Sequence, residues 1–151
     1  MLRMTKQADY GIVLLTHMAG SPERRFAASE LAAETHLPAP TVSKILKLLS
    51  REGMLASHRG VKGGYCLSRP PGEITVAEMI SALDGPIAFT ECIDEFPGEC
   101  SQESTCRLRA NWQLINDAVR LSLEGITLSE LTHPLQTPLV QLGSGGSAFA
   151  N

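Results

Sequence analysis

Cys92, Cys100 and Cys106 are spaced Cys-x7-Cys-x5-Cys in a stretch with neither helical nor strand periodicity. Thiolates are the usual ligands of iron–sulfur clusters and of structural zinc. Three of them leave one coordination position to fill, and the absence of a C-x-x-C pair disfavours a zinc knuckle. The spacing alone leaves two readings open, a metal or cluster site and unliganded surface thiols. A nucleophilic cysteine needs a nearby base. His17, His36, His58 and His133 all fall outside this stretch, so no enzyme is expected. Glu91, Asp94, Glu95, Glu99 and Glu103 would not help to hold an anionic cluster and read as a solvated loop. The fourth cysteine, Cys66, falls in an expected strand and reads as a small buried apolar residue.

A second set of residues suits a polyanion. The helix expected from Pro40 to Glu52 carries an apolar stripe of Val42, Ile45, Leu46 and Leu49, which leaves Thr41, Ser43, Lys44, Lys47 and Arg51 outward. Thr41 and Ser43 are short donors and acceptors suited to base edges in a major groove. Lys44, Lys47 and Arg51 suit phosphates, which position a protein without reading sequence. His58 to Gly64 forms a basic, glycine-rich hairpin loop. Its Arg59 suits a minor groove, and Lys62 a phosphate. Gly60 and Gly63 would let the backbone approach a sugar–phosphate edge, and Tyr65 completes the candidate set.

The net charge of −3 hides an asymmetry that agrees with this assignment. Residues 1–69 hold ten Lys/Arg against five Asp/Glu, whereas residues 70–151 hold three against eleven. Only the first half is expected to meet nucleic acid.

The elements that must position these groups follow from pattern. Ala8, Ile12, Leu15 and Ala19 mark a helix over about 5–19, with Gly11, Val13, Leu14 and Met18 widening its apolar arc. A helix this apolar calls for a partner subunit or a fully buried position. Ala28 to Thr35 forms a short helix broken by His36-Leu37-Pro38, and the helix from Pro40 completes a helix-turn-helix. Met54–Ser57 and Tyr65–Ser68 read as the two strands of a wing. Thr75-x-x-Glu78 and Thr127-x-x-Glu130 are capping boxes for two short helices. Between them Leu108, Trp112, Ile115, Val119 and Leu123 mark a long amphipathic helix. The expected fold is mainly α with a small β wing. A winged helix-turn-helix spans 1–84, a cysteine-containing loop 85–107 and a long helix with a short terminal one 108–134. A Gly-Ser-rich flexible tail is expected over 135–151. No apolar run approaches the roughly 20 residues needed to cross a bilayer. The opening carries no secretory signal, so a cytoplasmic location without a membrane partner is expected.

In this order the residues resemble the Rrf2 family of winged-helix repressors, which includes IscR-like and NsrR-like members. The resemblance is carried by Ala8-Asp9-Tyr10-Gly11, Glu30-Leu31-Ala32, Val42 to Leu49, Arg59-Gly60 with Gly63-Gly64-Tyr65, Ile74 to Gly85 and the three cysteines. It covers 1–133. Met1-Leu2-Arg3 with Asp9 to His17 is similar to the subgroup that regulates SUF-type iron–sulfur assembly genes. The resemblance implies a homodimer built on the long helix, double-stranded DNA with a palindromic operator as partner, and an iron–sulfur cluster as sensor. IscR-like members place a histidine ligand three residues after the last cysteine, where this chain has Arg109. NsrR-like members use an aspartate of the partner subunit, and Asp9 occupies that place. Both a two-iron (2Fe–2S) and a four-iron (4Fe–4S) cluster fit this pattern. Ser43 stands where IscR-like members can carry glutamate, which bears on operator choice. The resemblance also leaves room for a cluster-free relative controlled by thiol oxidation or a protein partner, and for a nitric-oxide sensor.

Overall fold

Thr5 opens the first helix by accepting the Ala8 N–H at 3.1 Å through its hydroxyl oxygen. That hydroxyl also donates to Asp84 Oδ1 at 2.6 Å, and Gln7 Nε2 donates to the Leu83 carbonyl at 2.7 Å. The start of α1 (Lys6–Ala19) is thus tied to the end of α4 (Val76–Asp84). The computed structural model of the protein describes residues 3–90, 93 and 105–133. Cys92, Cys100, the five loop acids and the expected tail lie outside them.

The buried face of α1 is Ala8, Gly11, Leu14, Leu15, Met18 and Ala19, while Ile12 is half-buried and Val13 exposed. The core side is thus turned toward Gly11, Leu14 and Met18 from the stripe through Ile12. Gly11 shows why: a Cβ there would meet the Leu83 side chain at 2.4 Å, so this glycine lets Leu83 of α4 pack directly on α1.

After α2 (Ala28–Thr35), His36 adopts a left-handed conformation with φ 57°. This ends the helix and turns the chain into α3 (Ala39–Arg51). Pro38 and Pro40 suit such a start, since neither position needs a backbone donor. Val42, Ile45, Leu46 and Leu49 are all buried, as their spacing requires. Two strands follow, β1 (Leu55–His58) and β2 (Gly64–Leu67), antiparallel with Leu55 opposite Leu67 and His58 opposite Gly64. Phe26 adds one bridge to this wing through paired backbone bonds with Tyr65 at 2.8 and 2.9 Å. The protein is mainly helical with a small β wing.

Both capping boxes form. Glu78 accepts the Thr75 N–H at 2.9 Å, and Glu130 accepts the Thr127 N–H at 2.7 Å. Each of those backbone bonds holds its carboxyl below the usual carboxylate range, and Arg69, donating at 3.0 Å, adds to the effect at Glu78.

The long α5 (Arg109–Glu124) leads to α6 (Leu128–Leu131), which returns to the first half of the chain. The Leu128 N–H donates to the Ile74 carbonyl at 2.8 Å, the Val76 N–H to the Ile126 carbonyl at 2.9 Å, and Leu128 is fully buried. Leu128 joins one cluster with Leu14, Leu15, Ile45 and Met79. The core of the expected 1–84 unit therefore includes a residue from beyond α5. Leu128→Ala is expected to cost about 2–5 kcal/mol, the usual loss for a buried leucine in a well-packed site. A denaturant midpoint within error of the unsubstituted protein would show that α6 is not part of the core.

Candidate DNA interface and cysteine loop

The amphipathic α3 presents its polar side to solvent. Lys44, Lys47 and Arg51 are exposed, and Thr41 and Ser43 are half-buried near its N-terminal end. Arg51 Nε donates to Glu52 Oε1 at 3.0 Å, an exposed pair of small energetic weight that a phosphate could displace. Lys6, Gln7 and Tyr10 of α1 line one groove of about 430 Å³ together with Pro40, Thr41, Lys44 and Ile45. Lys6 thereby joins the basic surface at the start of α3. The sequence pattern did not single it out, because only the packing of α1 against α3 brings it there.

The wing follows directly from α3, joined by the bond from the Met54 N–H to the Leu49 carbonyl at 2.9 Å. Arg59, Gly60, Val61 and Lys62 are exposed at its tip. Gly60 turns the chain with φ 104°, and the Gly63 N–H donates to its carbonyl at 2.9 Å. Gly63 and Gly64 have reasons internal to the chain. A Cβ on Gly63 would meet the His58 carbonyl oxygen at 2.3 Å, and one on Gly64 the Phe26 carbonyl oxygen at 2.6 Å. Tyr65 is half-buried and packs against the core, so its side chain supports the wing from within.

The long helix is oriented against the ordinary rule for a surface helix. Its side toward α4 is polar. Gln113, Asn116, Asp117, Arg120 and Glu124 line a cleft of about 560 Å³ with Thr75, Glu78 and Ser81. Asn116 is 4% exposed and its Oδ1 has no hydrogen-bond partner among the described residues. A buried acceptor left unpaired is costly and rare in a finished fold. The apolar side faces outward instead, with Leu108 55%, Trp112 37% and Ile115 46% exposed. Ile12 and Val13 of α1 also line an open, largely apolar groove, with Thr16 and Gly20.

Cys106 is half-buried, three residues before α5 begins. Cys92 and Cys100, the other two thiols of the candidate set, fall outside the described residues. Asp9 is exposed in the first turn of α1, one turn beyond Thr5. Since Thr5 is bonded to Asp84, this turn lies at the root of the cysteine-containing segment. Among the described residues, no group of three His, Cys, Asp or Glu side chains is gathered for a metal ion. As a donor set, three thiolates and a carboxylate suit iron, whereas Arg109 has no lone pair to offer. Cys66 does not lie in the core as expected; it is half-buried in β2. Strand alternation puts it on the face away from Tyr65 and Leu67.

Comparison with known proteins covers nearly the whole described chain. A family profile described as "Rrf2: Iron-dependent Transcriptional regulator" matches residues 4–134. The HTH-type transcriptional regulator IscR of Cronobacter sakazakii is 28% identical over 133 residues, covering 87% of this chain and 81% of that protein. The structure of CymR, the global cysteine regulator of B. subtilis, aligns with a TM-score of 0.65 at 26% identity. It covers 87% of this chain and 97% of that one. T. potens IscR shares the fold with a TM-score of 0.63 at 22% identity, over 86% and 85% of the two chains. Among the described residues no helix is long and apolar enough to cross a membrane.

Proposed function

This chain belongs to the Rrf2 family of DNA-binding transcriptional regulators, and from that premise we propose that it is a homodimeric repressor of SUF-type iron–sulfur assembly genes, sensing through a bound iron–sulfur cluster. The observation that carries the DNA-binding part is one surface. The exposed Lys44 and Lys47 of α3 lead into a wing tip with exposed Arg59 and Lys62, in a chain whose charge is otherwise acidic. The dimer reading rests on the outward apolar side of α5, which a second copy would cover. In such a dimer each subunit presents one α3 and one wing to half of a palindromic operator.

Cys92, Cys100 and Cys106 would hold the cluster, with Asp9 of the partner subunit as fourth ligand. A bound cluster supplies a centre that responds to iron supply, oxidants or nitric oxide. The chain's own part is to hold three positions firmly with thiolates and one weakly with a carboxylate. An oxygen donor is a more exchangeable ligand of iron than sulfur, which suits a sensor. The tie between Thr5 and Asp84 offers a physical route from the cysteine-containing segment to α1, and α1 packs on α3. In this reading a change at the sensor is felt at the recognition helix through α1.

The DNA interface is tested by binding at several salt concentrations. Lys47→Ala is expected to flatten the slope of log affinity against log salt by about 1, as one phosphate contact does. Arg59→Ala is expected to cost roughly 1–3 kcal/mol on the best site and to relax sequence preference. An unchanged slope for Lys47→Ala removes that residue from the interface. Equal losses for Arg59→Ala on specific and random DNA reduce that arginine to a phosphate contact.

A further inference from the structure

The wing carries a thiol–imidazole pair that neither DNA contact nor cluster ligation uses. Alternation along the strands places Ala56, His58 and Cys66 on the side away from Tyr65 and Leu67, which pack against the core. There Cys66 Sγ lies 3.5 Å from His58 Nε2, within hydrogen-bond reach for sulfur. His58 is exposed and Cys66 half-buried, so the pair is open to small reactants. Cys66 also lines an open cleft of about 430 Å³ with Glu23, Arg25 and Arg69. Arg69 is held by Glu78 at 3.0 Å, while Arg25 adds a second cation and Glu23 a carboxylate to the lining of the same cleft. His58 directly precedes Arg59, the wing-tip arginine.

We propose that Cys66 is a modification site: its thiol exchanges with a small disulfide bearing carboxylates, of the glutathione disulfide class, and the adduct weakens DNA binding. The consequence for DNA rests on the interface proposed above; the exchange itself does not. The neutral His58 imidazole, with Nε2 unprotonated, takes the Sγ proton. The Cys66 thiolate attacks one sulfur of the disulfide. A new Sγ–S bond forms as the old S–S bond breaks, and the other half leaves as a thiolate that recovers a proton from the imidazolium. Cys66 is oxidised and the released half is reduced, so no further oxidant is needed. The adduct adds bulk and carboxylate charge at the base of the wing, where a phosphate backbone would pass.

The test uses the full chain, glutathione disulfide as reactant, peptide mass spectrometry and affinity for one operator fragment. The untreated protein binds the fragment. After treatment the Cys66 peptide carries the mixed disulfide, affinity falls about tenfold or more as wing contacts are lost from both subunits, and dithiothreitol restores it. Cys66→Ser binds as tightly as the unsubstituted protein and keeps its affinity under treatment. His58→Gln slows exchange at Cys66 near neutral pH, and the difference closes in alkaline buffer, where thiols ionise unaided. A Cys66 peptide that stays unmodified overturns the proposal. So does a Cys66→Ser protein that loses affinity as the unsubstituted one does, since the effect then belongs to the other cysteines. Failure of the untreated protein to bind DNA instead overturns the interface, and the mixed disulfide at Cys66 still reads the exchange on its own.

Discussion

Replacing Leu108 and Ile115 by glutamate is expected to leave a folded monomer whose affinity for a palindromic DNA fragment is about 10²- to 10⁴-fold lower, the scale of losing a second linked binding event. Leu108 is 55% and Ile115 46% exposed, so neither substitution disturbs the core of the single chain. Both lie with Trp112 and Val119 on the side of α5 away from Gln113, Asn116, Asp117 and Arg120, which line the cleft with α4. Burying each of these large side chains against a second copy is worth about 1.5–3 kcal/mol, and burying a carboxylate in the same place costs more than that gain. Light scattering or sedimentation reads the mass, circular dichroism the fold, and a binding titration the affinity. A double variant that stays dimeric would place the interface elsewhere on the molecule. Truncation after α4 is a poorer test, because it removes Leu128 from the core along with the helix.

Asp9→Ala is expected to change the absorption spectrum of the anaerobically isolated protein and to shorten the lifetime of its cluster in air, while the cluster-free chain still dimerises. Cys106→Ser is expected to abolish cluster retention altogether, since it removes one of three thiolates. The cap of α1 is already formed by Thr5, whose side chain accepts the Ala8 N–H, so the Asp9 carboxylate is not needed as a capping acceptor. What remains for it in a single chain is a favourable interaction with the helix dipole, worth about 0.3–1 kcal/mol. A helix-dipole residue shifts the unfolding midpoint slightly and leaves the spectrum alone; a ligand does the reverse. An unchanged spectrum and cluster lifetime in Asp9→Ala would return this residue to the helix and leave the fourth position to water, a small thiol or another carboxylate.

The sequence was most legible where structure is local. The stripe of Val42, Ile45, Leu46 and Leu49 follows from a 3.6-residue period, and all four are buried. The two Thr-x-x-Glu boxes follow from the valence of a helix N-terminus, and both form. The wing strands differ from expectation by one residue at each end, within the ordinary uncertainty of element boundaries. The misses are tertiary. Nothing local to Leu128 says that it packs beside Leu14, because the chain reaches that place only after crossing α5. Gly63, expected to let the backbone approach DNA, is also required by the chain's own backbone at His58, which type and spacing do not reveal. Cys66 and His58 were set aside singly, one as a core residue and one as too far from the cysteines. Only the hairpin register, with Ala56 opposite Cys66 and His58 opposite Gly64, makes them diagonal neighbours. For the candidate site, the basic residues of α3 and the wing were named from type and spacing, whereas Lys6 joins them only through packing.

The central claim, a DNA-binding regulator that senses through a cluster, is tested most directly by one titration. The protein is purified without oxygen, its iron and sulfide are counted, and its affinity for one SUF-operon operator fragment is measured before and after the cluster is removed. The account predicts a brown protein with iron and sulfide in matching amounts and an operator affinity that changes clearly on cluster loss. A colourless, iron-free protein, or one whose affinity is the same in both states, would contradict it.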